Sequence, residues 1–187
     1  AKGNNLKNLF RKAVDLDAKA IVVLEANLKS VSPVWVRNLA EPIFNGFAFV
    51  APLYVRHKYD GPVATSIAYP LTRCLYGRRI RQPIGGDCAF SGDMARSFLR
   101  SPLWDEDVGQ FGIDIWMSTL AVNEGVPICQ AFLGRPKVST TKPKDPALDM
   151  GPMFRNMVVT LFNLMRQFKD KWASAKWSKP TAIFGFT

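Results

Sequence analysis

The stretch AKAIVVLEAN, residues 18–27, decides the fold class. Ala20 to Leu24 form a short continuous apolar run rich in Ile and Val, which reads as a strand buried on both faces of a parallel sheet. The run stops at Glu25, so a polar cluster sits where the strand leaves the sheet. In open α/β sheets that carboxyl end is where ligands bind. Upstream, Leu6, Leu9, Phe10, Ala13, Val14 and Leu16 recur near helical spacing with Lys and Arg between them, predicting a helix over 4–17. Downstream, Ser32-Pro33 reads as an N-cap followed by proline at the first helical position. The helix it opens runs to about Phe44, and Asn45-Gly46 ends it.

FAFVAPLYV (47–55) and PICQAFLG (127–134) are two further strands. Helices are expected over 63–76, with Pro70 kinking or starting the segment, over 92–100, and over 113–124, the last ending at Gly125. YGRRIRQPIGGD (76–87) is a basic, glycine-bearing loop, and KVSTTKPKDPALDMGP (137–152) is a polar, proline-rich one. Residues 153–172 carry a wide apolar stripe from Met153 to Trp172, a strong amphipathic helix, and SKPTAIFGFT (178–187) is either a strand or an ordered tail. Helices alternating with strands make the chain α/β. Three strands are few for a sheet that needs cover on both faces, and the chain opens directly into a helix. The expectation is the C-terminal part of a larger α/β domain.

Composition narrows the function classes. No run approaches the roughly 18 apolar residues a membrane helix needs, and the N-terminus lacks the apolar core of a secretory signal. Cys74, Cys88 and Cys129 are odd in number and show no CxxC spacing, which suits a reducing cytoplasm. One histidine, His57, excludes a zinc site built from several imidazoles. The 25 basic against 15 acidic residues give a net charge of +10, a balance that draws anions. The basic residues are spread through many segments with no nucleic-acid-binding signature, so nucleic acid is a third, weaker reading motivated by charge alone.

Four segments carry chemistry, each with a plainer alternative. Glu25-Ala26-Asn27 places two oxygen-bearing side chains two apart at a strand end, able to hold a hard divalent cation bridging a diphosphate, or simply facing water. The segment Arg56 to Gly61 packs potentially cationic groups, a phenol and a turn into six residues, able to bind a phosphate or carboxylate, or to form an exposed turn. His57 as a general base rests on its residue type alone. Ile84-Gly85-Gly86-Asp87 lets the backbone approach a ligand with a carboxylate beside it, or is a structural turn. Asp114, between Ile113 and Ile115, is a carboxylate among apolar neighbours suited to acid–base work or to holding a sugar hydroxyl, or a helix-start Asp favoured by the dipole.

KGNNLKNLF, VVLEANLKSVSPVWVRNLAEPI, FVAPLYVRHKYDG, QPIGGDCAFSG, FGIDIWMSTLAVNEG and FLGRPKV, in that order, resemble the nucleotide-sugar glycosyltransferases of the GT-A fold, above all the mannosylglycerate and glucosyl-3-phosphoglycerate synthases. The likeness runs to about residue 168. It implies a GT-A-like mixed sheet flanked by helices, without the N-terminal strands that hold base and ribose. Residues 1–150 would be the C-terminal part of the catalytic domain, and 151–187 a helix and tail that either makes a homo-oligomer contact or packs on its own sheet. It also implies a cytoplasmic enzyme moving a hexose from a nucleotide diphosphate sugar to a small anionic acceptor with Mg²⁺ or Mn²⁺. On this resemblance Lys2, Glu25, Asn27, Ile84, Gly85 and Gly86 would bind the donor, with Glu25 and Asn27 at the metal. Arg56, Gly61, Val63 and Thr65 would meet the acceptor, and Asp87 and Asp114 would border the transferred sugar. Two departures bear on the metal: Asn27 stands where the family has a second aspartate, and Val138 near where it has a metal-binding histidine. A second reading follows, a non-catalytic relative kept as an assembly or acceptor-binding module.

Overall fold

Phe49, Ala51, Cys88 and Phe90 face one side of a sheet while Val50 and Ala89 face the other, the period of two that a strand imposes. The computed structural model describes residues 2–56, 60–104, 108–140 and 146–185. Among these, five strands are β1 (Ala20–Val23), β2 (Phe49–Leu53), β3 (Cys88–Ser91), β4 (Ile128–Phe132) and β5 (Ala182–Phe184), ordered β1-β3-β2-β4-β5. β3 runs antiparallel to both β1 and β2, whereas β2, β4 and β5 are parallel. The sheet is therefore mixed.

Helices cover both faces. On one side lie α1 (Lys2–Asp15), α4 (Gly92–Arg100) and α5 (Ile113–Glu124), where Phe10, Phe90, Phe98 and Trp116 are fully buried. Phe90 meets Phe10 and Phe98 edge-on, with ring centroids 5.1 and 5.2 Å apart. Burying each such ring is worth roughly 1.5–3 kcal/mol against leaving it in water. On the other side α2 (Pro33–Phe44) lays Trp35, Leu39 and Ile43 against Val50, Ala89 and Cys129. α2 has the bounds its sequence signals predict, although it is the Ser32 carbonyl that accepts, from the amides of Trp35 and Val36, and the Ser32 side chain makes no cap bond. A third cluster joins Val63 and Ala68 to Ile115 of α5 and to Met157 and Leu161 of α6 (Pro146–Gln167).

Several expectations are corrected. The Ala20–Leu24 run is half-buried at the sheet edge and pairs antiparallel with β3, so it is not a central parallel strand. Its inner neighbour β3 escaped the reading because four residues, wedged between Asp87 and a helix whose Met94 amide is capped by Ser91, are too few to show a period. Segment 63–76 is helical, as expected, with Pro70 in the first turn of α3 (Tyr69–Tyr76); the unexpected part is the wide π turn, Ala64–Ala68, that leads into it. The wide turn ends two residues before Pro70, which has no amide to donate back. Helix α6 begins at Pro146, inside the stretch taken as a loop; proline is tolerated at a helix start because its missing amide has no partner there. The chain then breaks at Phe168 before α7 (Lys169–Ala173). Residue 150 lies within α6, and β5 joins residues 182–184 to the sheet beside β4. None of the described helices is long and apolar enough to cross a membrane.

Candidate active site

The antiparallel register of β1 on β3 builds the site. Val23 opposes Cys88, and continuing that register sets Glu25 opposite Gly86 and next to Asp87. The Glu25 amide donates to Asp87 Oδ1 at 2.8 Å. A Cβ on Gly86 would run into the Glu25 carboxylate and the Lys2 ammonium, so only glycine leaves both side chains where they stand. Asp114, in the first turn of α5, comes to the same place from below the sheet, and Lys2 from the first residue of α1. A cation at a helix N-terminus opposes the helix dipole; here it is offset by carboxylates.

Lys2 Nζ lies 2.8 and 2.7 Å from the two oxygens of Asp114 and 3.4 Å from Glu25 Oε1. Lys137 Nζ lies 2.8 Å from Glu25 Oε2 and 3.0 Å from Asp87 Oδ2. Asp87 is fully buried and also accepts from the Tyr54 hydroxyl. Three carboxylates from three distant segments therefore meet in one corner, knitted by two ammonium groups. Burial pushes the Glu25 carboxyl up, but Lys137 and then Lys2 outweigh it and leave the group below its usual range. Burial lowers the Lys2 ammonium, yet Asp114 and then Glu25 leave it raised. Asp114 is raised because burial exceeds the pull of Lys2. With both of its oxygens at hydrogen-bond distance from one ammonium, we take the Lys2–Asp114 pair as ionised together at neutral pH. Burial and then the Asp87 charge raise the Tyr54 phenol, which stays a donor.

Tyr54 is also the wall of a neighbouring cavity of about 470 Å³, lined by Arg56, Asp60, Thr65, Tyr69, Arg81 and Gln82 among others. The Arg56 guanidinium lies over the Tyr54 ring at 5.1 Å and Arg81 over Tyr69 at 5.0 Å. Arg56 Nε and the oxygen of the buried Gln82 side chain have no hydrogen-bond partner among the described residues. Gly61, at φ +61°, borders this wall: a Cβ there would strike the Arg56 guanidinium.

The sequence-derived residues fall into groups. Lys2, Glu25, Gly86, Asp87 and Asp114 converge. Gly85 packs against Pro52, and Ile84 leans on the Val63–Leu161 cluster. Arg56 and Thr65 line the cavity, while the Val63 side chain is core. Asn27 is exposed and turned toward the returning chain, its amide donating to Ser139 Oγ at 3.3 Å and its carbonyl accepting from the Thr140 amide at 2.7 Å. His57 lies outside the described residues. Sequence reasoning missed Lys137, Tyr54, Arg81 and Gln82. Lys137 adjoins Val138, where a histidine was sought; the charge sits one residue earlier. Another hollow, about 310 Å³, carries Arg78, Lys171, Lys176 and Lys179, with no carboxylate in its lining among the described residues.

Glu25, Asp87 and Asp114 spend their oxygens on the two lysines, Tyr54 and an amide. Among the described residues no group of three His, Cys, Asp or Glu is placed to hold a metal ion. As arranged, the corner does not fit a divalent cation.

No protein-family model and no curated protein matches the chain. Solved structures do. Glucosyl-3-phosphoglycerate synthase from Mycobacterium tuberculosis, in complex with Mn²⁺, UDP-glucose and phosphoglyceric acid, is 21% identical at a TM-score of 0.62, the match covering 83% of this chain and 52% of that one. The same enzyme with Mn²⁺, UDP-glucose and glycerol 3-phosphate gives 20% identity and 0.60 over 83% and 53%. With Mg²⁺ and UDP it gives 21% and 0.64 over 83% and 52%. Mn²⁺ or Mg²⁺ thus accompanies UDP in these neighbours, in line with what the resemblance implies for such enzymes. The chain spans about half the length of the solved structures it matches. Over the matched region it has the GT-A fold of glucosyl-3-phosphoglycerate synthase.

Proposed function

We propose that the chain carries the sugar- and acceptor-handling part of a glycosyltransferase, moving a hexose from a nucleotide diphosphate sugar to a hydroxyl of a small anionic acceptor of the glycerate or phosphoglycerate type. The observation that carries this reading is the shared wall: Tyr54 donates to Asp87 in the carboxylate corner and lines the cavity that holds Arg56 and Arg81. The donor and acceptor of the fold neighbours, UDP-glucose and phosphoglyceric acid, support it.

In this account Arg56 and Arg81 hold the acceptor's anionic group, the geometry that guanidinium forks favour. The Gln82 oxygen, without a hydrogen-bond partner among the described residues, accepts from an acceptor hydroxyl. Asp87 and Asp114 border the hexose and hold Tyr54, Lys137 and Lys2 there, while Lys2 and Lys137 offset the charge of the departing diphosphate. The anomeric carbon loses its bond to the diphosphate oxygen, the acceptor oxygen bonds to that carbon, and the acceptor proton is released. Titration calorimetry with UDP- and GDP-hexoses and with 3-phosphoglycerate tests the reading. Binding of 3-phosphoglycerate that weakens roughly tenfold or more in Arg81→Ala is expected for a lost charge-assisted pair. Failure of all these ligands to bind would overturn the reading.

One observation favours the second reading, a non-catalytic module: Asn27 is neutral and both Glu25 oxygens are occupied by lysines. The double change Asn27→Asp with Val138→His separates the two. Sugar transfer created where the parent has none supports the module; transfer by the parent removes it. We infer that a homo-oligomer contact uses the outer face of α6; the exposed Phe154 and Phe162 support it. A monomer by light scattering would retire it.

A further inference from the structure

We infer that Lys137 is a tethered cation occupying the place in the corner where a divalent ion would have to sit, so that the ammonium and the ion exclude one another. The geometry is specific. After β4 the chain turns back and lies along the residues that follow β1, with the Lys29 amide donating to the Val138 carbonyl at 2.8 Å and Leu28 bridged to Ser139. Those contacts deliver the Lys137 ammonium between Glu25 and Asp87, at 2.8 and 3.0 Å, over the Tyr54 ring at 5.5 Å. An ion bound by these two carboxylates would need the same oxygens and would stand within a few ångströms of the ammonium. The repulsion there, in a site that is largely out of water, would be severe.

Asp87, fully buried, cannot swing out to solvent to offer its oxygens elsewhere, because the Glu25 amide and the Tyr54 hydroxyl fix them. Lys2 fills the other Glu25 oxygen. Three carboxylates against two ammonium groups leave the corner one charge negative, so a diphosphate received without an added ion would have to meet Lys2 and Lys137 themselves. This last clause rests on the donor reading above; the exclusion of the ion does not.

Two titrations of the full chain test it. In the first, Mn²⁺ alone is followed by the electron paramagnetic resonance of the free ion. The wild type binds weakly, Lys137→Arg behaves likewise, and Lys137→Met gains on the order of tenfold or more, the scale of one charged contact. Mn²⁺ held by the wild type at micromolar affinity and released by Glu25→Gln overturns the inference, and so does a folded Lys137→Met that binds no better than the wild type. In the second, UDP is titrated into the wild type in EDTA and again in Mn²⁺. Equal affinity supports the inference, and loss of binding in EDTA overturns it. UDP binding in neither condition removes the donor reading and leaves the Mn²⁺ titration as the arbiter of the lysine.

Discussion

The carboxylate corner and the cavity beside it share Tyr54 but solve opposite problems. In the corner every charge on Glu25, Asp87 and Asp114 is answered from within the chain, by Lys2, Lys137, a phenol and an amide. In the cavity Arg56 and Arg81 rest on aromatic faces, and Arg56 Nε and Gln82 Oε1 are buried without hydrogen-bond partners among the described residues. A self-satisfied cluster costs stability when one member is removed, because the partners are left buried and unpaired. An unsatisfied one costs little stability and loses ligand instead. The two regions should therefore respond to mutation in different observables.

Asp87→Ala is the largest expected effect. It strips partners from Lys137, Tyr54 and the Glu25 amide at once, and should cost about 3–5 kcal/mol of unfolding free energy in a denaturant titration, the scale for breaking a buried charged cluster. A loss under about 1 kcal/mol would mean that the corner is not a cluster. Arg81→Ala should do the reverse. Its unfolding free energy should stay within about 0.5 kcal/mol of wild type, as for most surface changes, while 3-phosphoglycerate affinity falls. Tyr54→Phe sits on the shared wall and should show both responses in reduced form. It keeps the ring under Arg56 and Lys137 and removes one buried hydrogen bond, for about 1 kcal/mol in thermal unfolding with a modest loss of acceptor affinity.

The smallest effect is a pH dependence. The Glu25 pKa is depressed in the fold below its ordinary 4.5, so its contribution to stability is fully present above that value and is lost as pH falls through the lower folded value. The stability gap between wild type and Glu25→Gln should be full at neutral pH and close in acid. Measuring the gap isolates Glu25 from Asp114, whose raised pKa acts with the opposite sign in the same range. A gap that widens below pH 4.5 would reverse the assignment of Lys137 and Lys2 as its partners.

Much of the scaffold was readable because local signals and burial agreed. α2 has its proline start and Asn45-Gly46 end, and α5 its Gly125 stop. β3 was not readable, since Cys88–Ser91 is held by two antiparallel neighbours that are remote in sequence. The identity of β1 as an edge strand was hidden for the same reason. Glu25 stood out at a strand end, Asp87 beside two glycines and Asp114 among apolar neighbours, and the antiparallel register then joins the first two. Lys137 and Arg81 did not stand out: in a chain of charge +10 a lysine or arginine in a polar loop looks like solvated surface. Only the return of residues 137–140 along 27–29 reveals what Lys137 meets.

The most direct test of the central claim, that an anionic acceptor is held beside the carboxylate corner, is a crystal structure of the chain with 3-phosphoglycerate. The account predicts the ligand's phosphate or carboxylate on Arg56 and Arg81 with a hydroxyl toward Gln82. Density instead in the hollow of Arg78, Lys171 and Lys179, or in neither place at saturating ligand, would contradict it.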